Sequence, residues 1–235
     1  MSKEQIKYEY LAWDSVFFGY QTGKLIIDNF DECSLDAKIK NADVELLYIF
    51  DDTLSEEVDK MLISIVAVKY DCRMEYERTL ADHCDFSVDQ NIEFYNGKLT
   101  DELENLAYSS GKYSRFKKDK KLQPFFEALY KRWILSDLED ENRLLVVRNT
   151  DQIIGFLSFS INGKTANISL FSVNRNNTGK GLGTKLYQAL ECFLVKSGVT
   201  KVTVCTQQEN TGACGFYEKL GFKLVEQQNI YHLWR

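Results

Sequence analysis

The chain has 235 residues, of which 44% are hydrophobic and 27% charged, a composition typical of a globular protein with one large or two small domains. The net charge of −6 argues against a general nucleic-acid binder or a protein that binds anionic membranes. No apolar run approaches the length of a bilayer span, and the polar start MSKEQIKYEYL lacks the apolar core of a signal peptide, so a cytoplasmic location is expected.

Six cysteines are scattered along the chain without a C-x-x-C pair. The two histidines, His83 and His232, are far apart in sequence. This pattern argues against a zinc site, and no metal is expected. Because their surroundings are mostly apolar, we expect the cysteines to be buried, reduced thiols. A Cys–His nucleophile pair has no spacing signal behind it and is left open.

Residues 1–90 predict a small α/β domain. Apolar runs at 23–28 and 44–50 predict strands. Ser55 is placed to cap an amphipathic helix. The alternating run at 73–81 predicts a closing strand.

Residues 91–235 predict a second domain. Its expected elements are a short strand at Ile92, two helices, three strands that include an Asn162-Gly163 hairpin, a glycine-rich loop, a long helix, a strand at 201–206, another helix and two final strands around a polar turn. The hairpins come before one crossover connection, which favours a mixed sheet over a doubly wound one. The predicted class is α+β, that is, mixed α/β.

The segment NNTGKGLGTKL, residues 176–186, follows the predicted strand that ends at Val173. A strand, a glycine-rich turn and a helix start together predict an anion site, because the backbone N–H groups of the first helical turn point outward. A Walker A loop is excluded, since Gly179-Lys180 is followed by Gly181 rather than by Ser or Thr. The spacing also fails the dinucleotide fingerprint. A glycine-rich turn without a ligand remains the alternative.

The loop resembles motif A of the GNAT acetyltransferase superfamily, which reads Gln/Arg-x-x-Gly-x-Gly/Ala after a strand ending in valine. Here the motif is TGKGLG, with Thr178 at the Gln/Arg position. The later segment ENTGACGFYEKLGF resembles motif B of the same superfamily. Its matching residues are Asn210, Phe216, Tyr217, Gly221 and Phe222.

This resemblance implies a GNAT acyl-CoA N-acyltransferase fold, with an additional N-terminal partial GNAT-like α/β unit, and acetyl-CoA as the cofactor. Backbone groups of the strand would pair with the pantetheine arm, the Val173 N–H would stabilise the oxyanion, and the loop would bind the pyrophosphate. The residues implied in cofactor binding are Phe171, Ser172, Val173, Thr178, Gly179, Lys180, Gly181, Leu182, Gly183, Thr184 and Asn210.

Tyr217 occupies the position where the superfamily often carries the general acid that protonates the coenzyme A thiolate. A phenol holds its proton at neutral pH and can transfer it to a thiolate in a dry site. The alternatives are a core aromatic for Tyr217 and a plain helix N-cap for Asn210. The strand before motif A has no acid, so deprotonation through an ordered water, or binding of an already neutral amine, is expected.

The acceptor is indicated by a second resemblance, to dTDP-fucosamine acetyltransferases, which acetylate the amino group of a dTDP-linked 4-amino-4,6-dideoxyhexose. It is carried by LAWDSVFFGYQTGKL, SGKYSRFKKD, ENTGACGFY, IYHLWR and the aromatic helix with Trp133. The basic segment GKYSRFKKDKK, with Tyr113 and Phe116 among its lysines, could bind a diphosphate and stack a sugar or base, and Arg115 is its preferred contact residue. Trp13, Phe17 and Phe18 could line the acceptor pocket. The three aromatic residues could equally be core, and the basic segment could be a solvated loop.

We therefore expect an N-acetyltransferase that acts on a nucleotide-linked amino sugar in cell-surface polysaccharide biosynthesis, in a ternary complex and with Tyr217 as general acid. Its partners would be that small molecule, without nucleic acid or membrane. A homodimer through the C-terminal edge strands stays open. The alternatives are a peptide or protein N-terminal acetyltransferase and a catalytically inactive, regulatory coenzyme A-binding module.

Overall fold

A computed structural model describes residues 6–84 and 87–235. In this part of the chain there are eight α-helices and ten strands, which confirms the predicted mixed α/β class. The chain divides into two compact units. The first comprises residues 6–74, 207–209 and 226–235, and the second comprises Glu75–Thr206 and Asn210–Val225. The limits of these units differ from the predicted domain limits of 1–90 and 91–235, because the end of the chain belongs to the first unit. Whether the chain has two domains with the predicted limits stays a prediction.

The first unit contains three helices, all or part of five strands, and Gln207, the last residue of a strand that otherwise belongs to the second unit. The helices are α1 (Ala12–Phe18), α2 (Glu32–Asn41) and α3 (Glu56–Ser64). The strands are β1 (Ile6–Tyr10), β2 (Thr22–Ile27), β3 (Leu46–Asp51), the first part of β4 (Val68–Thr79) and most of β10 (Lys223–Trp234). The sequence did not lead us to expect β1, α1 or α2.

The sheet of the first unit is built around one parallel strand pair. β2 pairs with β3 along its whole length, from Thr22–Leu46 to Ile27–Asp51. Helices α2 and α3 contribute buried leucine, isoleucine and valine side chains to the core on this sheet. As predicted, the Ser55 side chain caps α3, accepting a hydrogen bond from the Val58 N–H.

The last strand corrects the sequence prediction of two strands around a polar turn. Residues Lys223–Trp234 form the single strand β10, whose end pairs antiparallel with β3 from Asn229 to Trp234. The polar run that suggested a turn is accommodated by hydrogen bonds. The Gln227 amide donates to the Cys72 sulfur at 3.1 Å, and the buried Gln228 donates to Asp52. A polar run without Gly or Pro can thus continue a strand when its side chains find partners.

The second unit contains five helices and the remaining strands. The helices are α4 (Asp101–Ser110), the short α5 (Arg115–Lys118), α6 (Phe126–Glu139), α7 (Leu182–Lys196) and α8 (Thr211–Lys219). The strands are β5 (Ile92–Phe94), β6 (Leu144–Asn149), β7 (Gln152–Asn162), β8 (Thr165–Val173) and β9 (Lys201–Gln207). The second part of β4 and the first three residues of β10 also belong to this unit.

The strand order in this unit is β5-β6-β7-β8-β9-β4. Strands β5 to β8 pair antiparallel, whereas β8 and β9 are parallel and are joined by α7. The mixed sheet and the end of β8 at Val173 are therefore as predicted. The glycine-rich loop lies between β8 and α7, at the end of the parallel pair.

The expectation of buried, reduced cysteines is wrong for most of them. Cys84 and Cys192 form a disulfide whose Cα atoms are 5.2 Å apart. Cys33 and Cys205 are exposed, and of the free thiols named in the described residues only that of Cys72 is buried. Sequence spacing could not indicate a pair separated by 108 residues.

Within residues 6–84 and 87–235, no helix is both long enough and apolar enough to cross a bilayer.

Candidate active site

The site is built where the parallel strands β8 and β9 stop pairing. Their pairing runs only from Thr165–Lys201 to Ile168–Val204. On its other side, β8 remains paired with β7 as far as Val173. The last residues of β8 therefore have a free edge towards β9, and their backbone N–H and C=O groups can bind an inserted chain.

A β-bulge in β8 lies immediately before this free edge. The register between β7 and β8 shifts around Ser158, where the pairs Leu157–Phe171 and Phe159–Ile168 leave two residues of β8 opposite one of β7. The buried Ser158 hydroxyl accepts a hydrogen bond from the Leu170 N–H at 3.1 Å and so replaces the lost backbone partner. Bulges bend the bulged strand, which here turns the end of β8 away from β9.

Ser158 is itself held by a carboxylate on α6. Burial raises the pKa of Asp137, while the Ser158 hydroxyl next to it favours the charged carboxylate and lowers the pKa in part. The chain of contacts runs from α6 through Ser158 to the backbone of β8. It fixes the strand immediately before the residues that line the site.

A cavity of about 310 Å³ lies in the gap. Its walls come from the end of α4 and the loop after it, the end of β8, the glycine-rich loop and α8. The lining residues are Ser109, Ser110, Lys112, Tyr113, Phe171, Ser172, Val173, Thr178, Gly183, Asn210, Gly212, Ala213, Phe216 and Tyr217. Seven of the predicted cofactor-binding and catalytic residues are thus brought together in one cavity: Phe171, Ser172, Val173, Thr178, Gly183, Asn210 and Tyr217.

The three glycines of the loop serve two purposes. Gly179 and Gly181 have φ angles of +77° and +75°, in the left-handed region that disfavours side chains. Gly183 instead permits close packing, because a Cβ there would lie 3.3 Å from the Phe216 ring and 3.6 Å from the Phe171 ring. The loop therefore turns sharply and then brings α7 against the aromatic wall of the cavity.

The start of α7 presents backbone donors. Gly181 is the N-cap residue and has no capping side chain, and a hydrogen bond from the Lys185 N–H to the Gly181 carbonyl closes the first turn at 3.0 Å. The N–H groups of Leu182, Gly183 and Thr184 precede this bond and have no carbonyl one turn back. Lys180, on the exposed side of the loop, adds a positive charge. Such a helix start suits a phosphate group.

Asn210 both caps α8 and ties it to β9. Its side-chain oxygen accepts from the Ala213 N–H at 3.3 Å, and its amide nitrogen donates to the Thr206 hydroxyl at 3.3 Å. The N-cap interpretation is confirmed. Because Asn210 also lines the cavity, contact with a ligand remains a prediction.

Tyr217 lies on α8 with only 5% of its surface exposed, yet it lines the cavity. Burial raises its pKa above the ordinary value, with smaller contributions from the thiols of Cys205 and Cys214. The phenol therefore keeps its proton throughout the physiological range. A buried, protonated phenol beside a cavity is chemically competent to act as a general acid.

The residues expected to contact the acceptor do not line this cavity. Trp13, Phe17 and Phe18 lie on α1 of the first unit, where the rings of Trp13 and Phe17 stack at 4.9 Å and Phe18 is buried. Arg115 begins α5, and its guanidinium lies over the Phe116 ring at 4.3 Å. Substrate contacts by these four residues stay a prediction.

Four further residues line the cavity; sequence reasoning missed Ser109 and Ser110, and it included Lys112 and Tyr113 only as members of the basic segment around Arg115. Ser109 and Ser110 end α4, and Lys112 and Tyr113 follow, with the Lys112 ammonium over the Tyr113 ring at 4.6 Å. The signal was present in SSGKYS, a polar segment after an amphipathic helix with adjacent basic and aromatic residues. A short polar segment does not reveal which of its side chains face a cavity, so the sequence alone favours Arg115 over Lys112 and Tyr113.

Comparison with known proteins shows which family has this arrangement. The sequence profile described as the acetyltransferase (GNAT) family matches residues 102–222, more than half of the chain. This chain belongs to the GNAT acetyltransferase family. The matched residues contain both predicted motifs and all the residues that line the cavity. The cofactor of this family is acetyl-CoA.

The relatives are distant. A mycothiol acetyltransferase from Renibacterium salmoninarum is 31% identical over 94 residues, which are 37% of this chain and 28% of the relative. The chain covers between 28% and 62% of the length of the curated relatives that it matches. These matches identify no acceptor for this chain.

Two solved structures show the same fold over nearly the whole chain. One is a GCN5-related N-acetyltransferase from Sphaerobacter thermophilus, with a TM-score of 0.63, 13% identity and coverage of 98% of this chain and 76% of that one. The other is a conserved protein of unknown function from Staphylococcus epidermidis, with a TM-score of 0.67, 11% identity and coverage of 100% and 93%. The predicted GNAT fold is therefore confirmed.

Proposed function

We propose that this GNAT family member is an acetyl-CoA-dependent N-acetyltransferase that acts on the amino group of a nucleotide-linked amino sugar such as a dTDP-4-amino-4,6-dideoxyhexose. The observation that carries the proposal is the composition of one cavity. It contacts the anion-binding loop at Thr178 and Gly183, the candidate acid Tyr217, and the basic and aromatic pair Lys112 and Tyr113.

The cavity suits coenzyme A in three respects. The free edge of β8 can pair with the amides of the pantetheine arm. The start of α7 offers N–H groups and a positive helix end to the pyrophosphate. Glycine at 183 keeps the entry between these two features clear of a Cβ. Thr178 stands where motif A has Gln or Arg, so one side-chain contact with the pyrophosphate would be missing. Backbone N–H groups would supply most of the donors.

Bound acetyl-CoA would supply an acetyl thioester. The Val173 N–H, at the end of β8, would donate to the carbonyl oxygen as negative charge develops there. The Tyr217 phenol would protonate the departing thiolate. Holding the acetyl thioester and the acceptor amine next to each other in this cavity would align the two reacting groups, which lowers the barrier.

The acceptor side supports a substrate that carries phosphate. The Lys112 ammonium can pair with a diphosphate, and the Tyr113 ring offers a face for a sugar or a base. Both side chains line the cavity next to the predicted reaction centre. A nucleotide sugar would place its phosphates at Lys112 and its amine towards Tyr217.

The test is thiol release from acetyl-CoA with a panel of dTDP-amino sugars and short peptides. We expect turnover with an amino-sugar nucleotide, and Tyr217→Phe should lower kcat about 100-fold or more while leaving the acetyl-CoA Kd unchanged. Tyr187→Phe removes another buried phenol, one that does not line the cavity, and should keep full turnover.

Each other result has a defined meaning. Turnover with peptides alone would refute the sugar acceptor in favour of an N-terminal acetyltransferase. Coenzyme A binding without release from any amine would indicate an inactive binding module. An equal loss of kcat and of cofactor affinity in Tyr217→Phe would remove the acid role.

A further inference from the structure

A second cavity, of about 300 Å³, adjoins the first one at Ser109, which lines both. One of its walls is a single stripe of α4. Glu102, Asn105, Leu106 and Ser109 are spaced three or four residues apart, which places them on the same side of the helix. At about 1.5 Å per residue, this stripe runs for about 10 Å from the shared serine towards the start of α4.

The opposite wall is formed by the start of β7 and the turn after β8. The Asn174 N–H donates to the Ile154 carbonyl at 2.8 Å and extends the pairing of these two strands. The Asn174 side-chain oxygen accepts from the Asn176 N–H at 3.0 Å. The Arg175 carbonyl accepts from the Thr178 hydroxyl at 2.8 Å. The turn is therefore fixed on both sides of Arg175, and it leads directly to Thr178, which lines the first cavity.

The second cavity combines buried apolar side chains with polar ones that have no protein partner. Leu106, Ile153 and Ile154 are buried and form its apolar part. Three exposed side chains that line it make no hydrogen bond or ion pair within residues 6–84 and 87–235: Asn105, Gln152 and Arg175. Apolar walls with a few available polar groups are typical of a small-molecule site.

The chemistry of these groups suits a nucleoside. The carboxamides of Asn105 and Gln152 each offer donors and an acceptor, as the edge of a nucleobase does. The charged residues that line the cavity are one acid, Glu102, and one base, Arg175. Their charges cancel, so the cavity favours an uncharged nucleoside over a further phosphate such as the one on the adenosine of coenzyme A.

The shared serine lies on the acceptor side of the first cavity. Ser109 is followed along the chain by Lys112 and Tyr113, which also line the first cavity. These two residues are the ones proposed above to contact the phosphates and the sugar or base of the acceptor. The part of the acceptor beyond its phosphates would pass Ser109 and enter the second cavity.

We propose that the second cavity binds the nucleoside end of the nucleotide-linked acceptor. This inference rests on the proposed function. The base packs on Leu106 and the two isoleucines, and its polar edge pairs with Asn105, Gln152 and Arg175. With the nucleoside held in one cavity, the amino sugar is positioned in the other.

The test compares two acceptors: a nucleotide-linked amino sugar and the 1-phosphate of the same amino sugar, which has no nucleoside. Wild-type kcat/KM should be about 100-fold higher for the first. Arg175→Ala should lower that value about 10-fold and Asn105→Ala about 5-fold, and neither should change kcat/KM for the 1-phosphate. Arg132→Ala and Asp101→Ala, matched changes at exposed positions outside both cavities, should retain the wild-type values.

Direct binding provides a second readout that does not require turnover. Isothermal titration calorimetry with dTDP should show a Kd about 10-fold higher in Arg175→Ala than in the wild type, with the acetyl-CoA Kd unchanged. Asn105→Ala, which lies on α4 and not on the loop, should show the same pattern. A weaker acetyl-CoA affinity with an unchanged dTDP Kd would assign the cavity to the adenosine of the cofactor and overturn the proposal.

The proposed function and this inference fail in different ways. Equal wild-type kcat/KM for the two acceptors, or variants that lose both activities equally, would overturn the nucleoside site and leave acetyl transfer to an amino sugar in place. Turnover with peptides alone, or no thiol release with any amine, would refute the proposed acceptor and the nucleoside site together.

Discussion

The loop before α7 depends on the left-handed backbone of Gly181, and Gly181→Ala tests this dependence. A Cβ at this position meets no atom within 4 Å, so the substitution adds backbone strain without a steric clash. A non-glycine residue in this conformation costs about 1–2 kcal/mol. If the free loop relaxes and must be restored when the ligand binds, this cost appears in the apparent affinity.

At about 1.4 kcal/mol per tenfold change, the strain corresponds to coenzyme A binding about 5- to 30-fold weaker than in the wild type. Isothermal titration calorimetry measures this difference directly. Gly181→Asn should lose less, because asparagine tolerates the left-handed region better than alanine does.

Gly163→Ala is the matched control. Gly163 has a φ of +59° in the β7–β8 hairpin and is equally free of close neighbours. It should bear a similar strain, seen as lower stability, while binding coenzyme A normally. Wild-type affinity in Gly181→Ala, or an equal loss in Gly163→Ala, would refute the assignment of the loop geometry to ligand binding.

Two further predictions concern the scaffold of the second unit. Ser158→Ala removes the acceptor of the Leu170 N–H, so it should lower the free energy of unfolding in urea by about 1–3 kcal/mol and also lower kcat/KM. Ser160→Ala, at an exposed position of the same strand, should change neither quantity. A Ser158 variant with lower stability but full activity would show that the bulge does not shape the site. Arg78→Met should destabilise the protein by about 3 kcal/mol, because it removes the ion-pair partner of the buried Glu191 carboxylate, which Arg78 contacts at 2.9 Å. Burial raises the pKa of Glu191 and Arg78 lowers it, so the loss of stability in Arg78→Met should be largest at neutral pH and should shrink as Glu191 becomes protonated in acid. A loss of stability that does not depend on pH would contradict the ion-pair explanation.

Local signals predicted the glycine-rich turn before α7 and the cap of α8. The glycines at 179 and 181 are required by the backbone angles of one short loop, and the cap at Asn210 is formed within its own helix start. Such features depend on residues close in sequence. They could therefore be read from the chain without knowing its fold.

Features that depend on distant partners were not accessible. The alternation at 73–81 predicts a strand, but only the fold shows that the Tyr76 hydroxyl contacts Glu218, which is 142 residues later in the chain. Ser158 looked like any serine in an apolar strand until the bulge supplied the Leu170 N–H. The same holds for the polar run of β10, whose partners lie on other strands.

The parallel pair β2 and β3 of the first unit has a consequence for stoichiometry. Its six residue pairs leave no gap in which a pantetheine arm could insert, whereas only four pairs join β8 and β9. The turn from β2 to α2 contains no glycine, and the Asp31 side chain already accepts a hydrogen bond from the Ser34 N–H at the start of α2, so this helix start offers fewer free donors to a phosphate. Coenzyme A should therefore bind once per chain, although the strand–helix–strand arrangement occurs in both units.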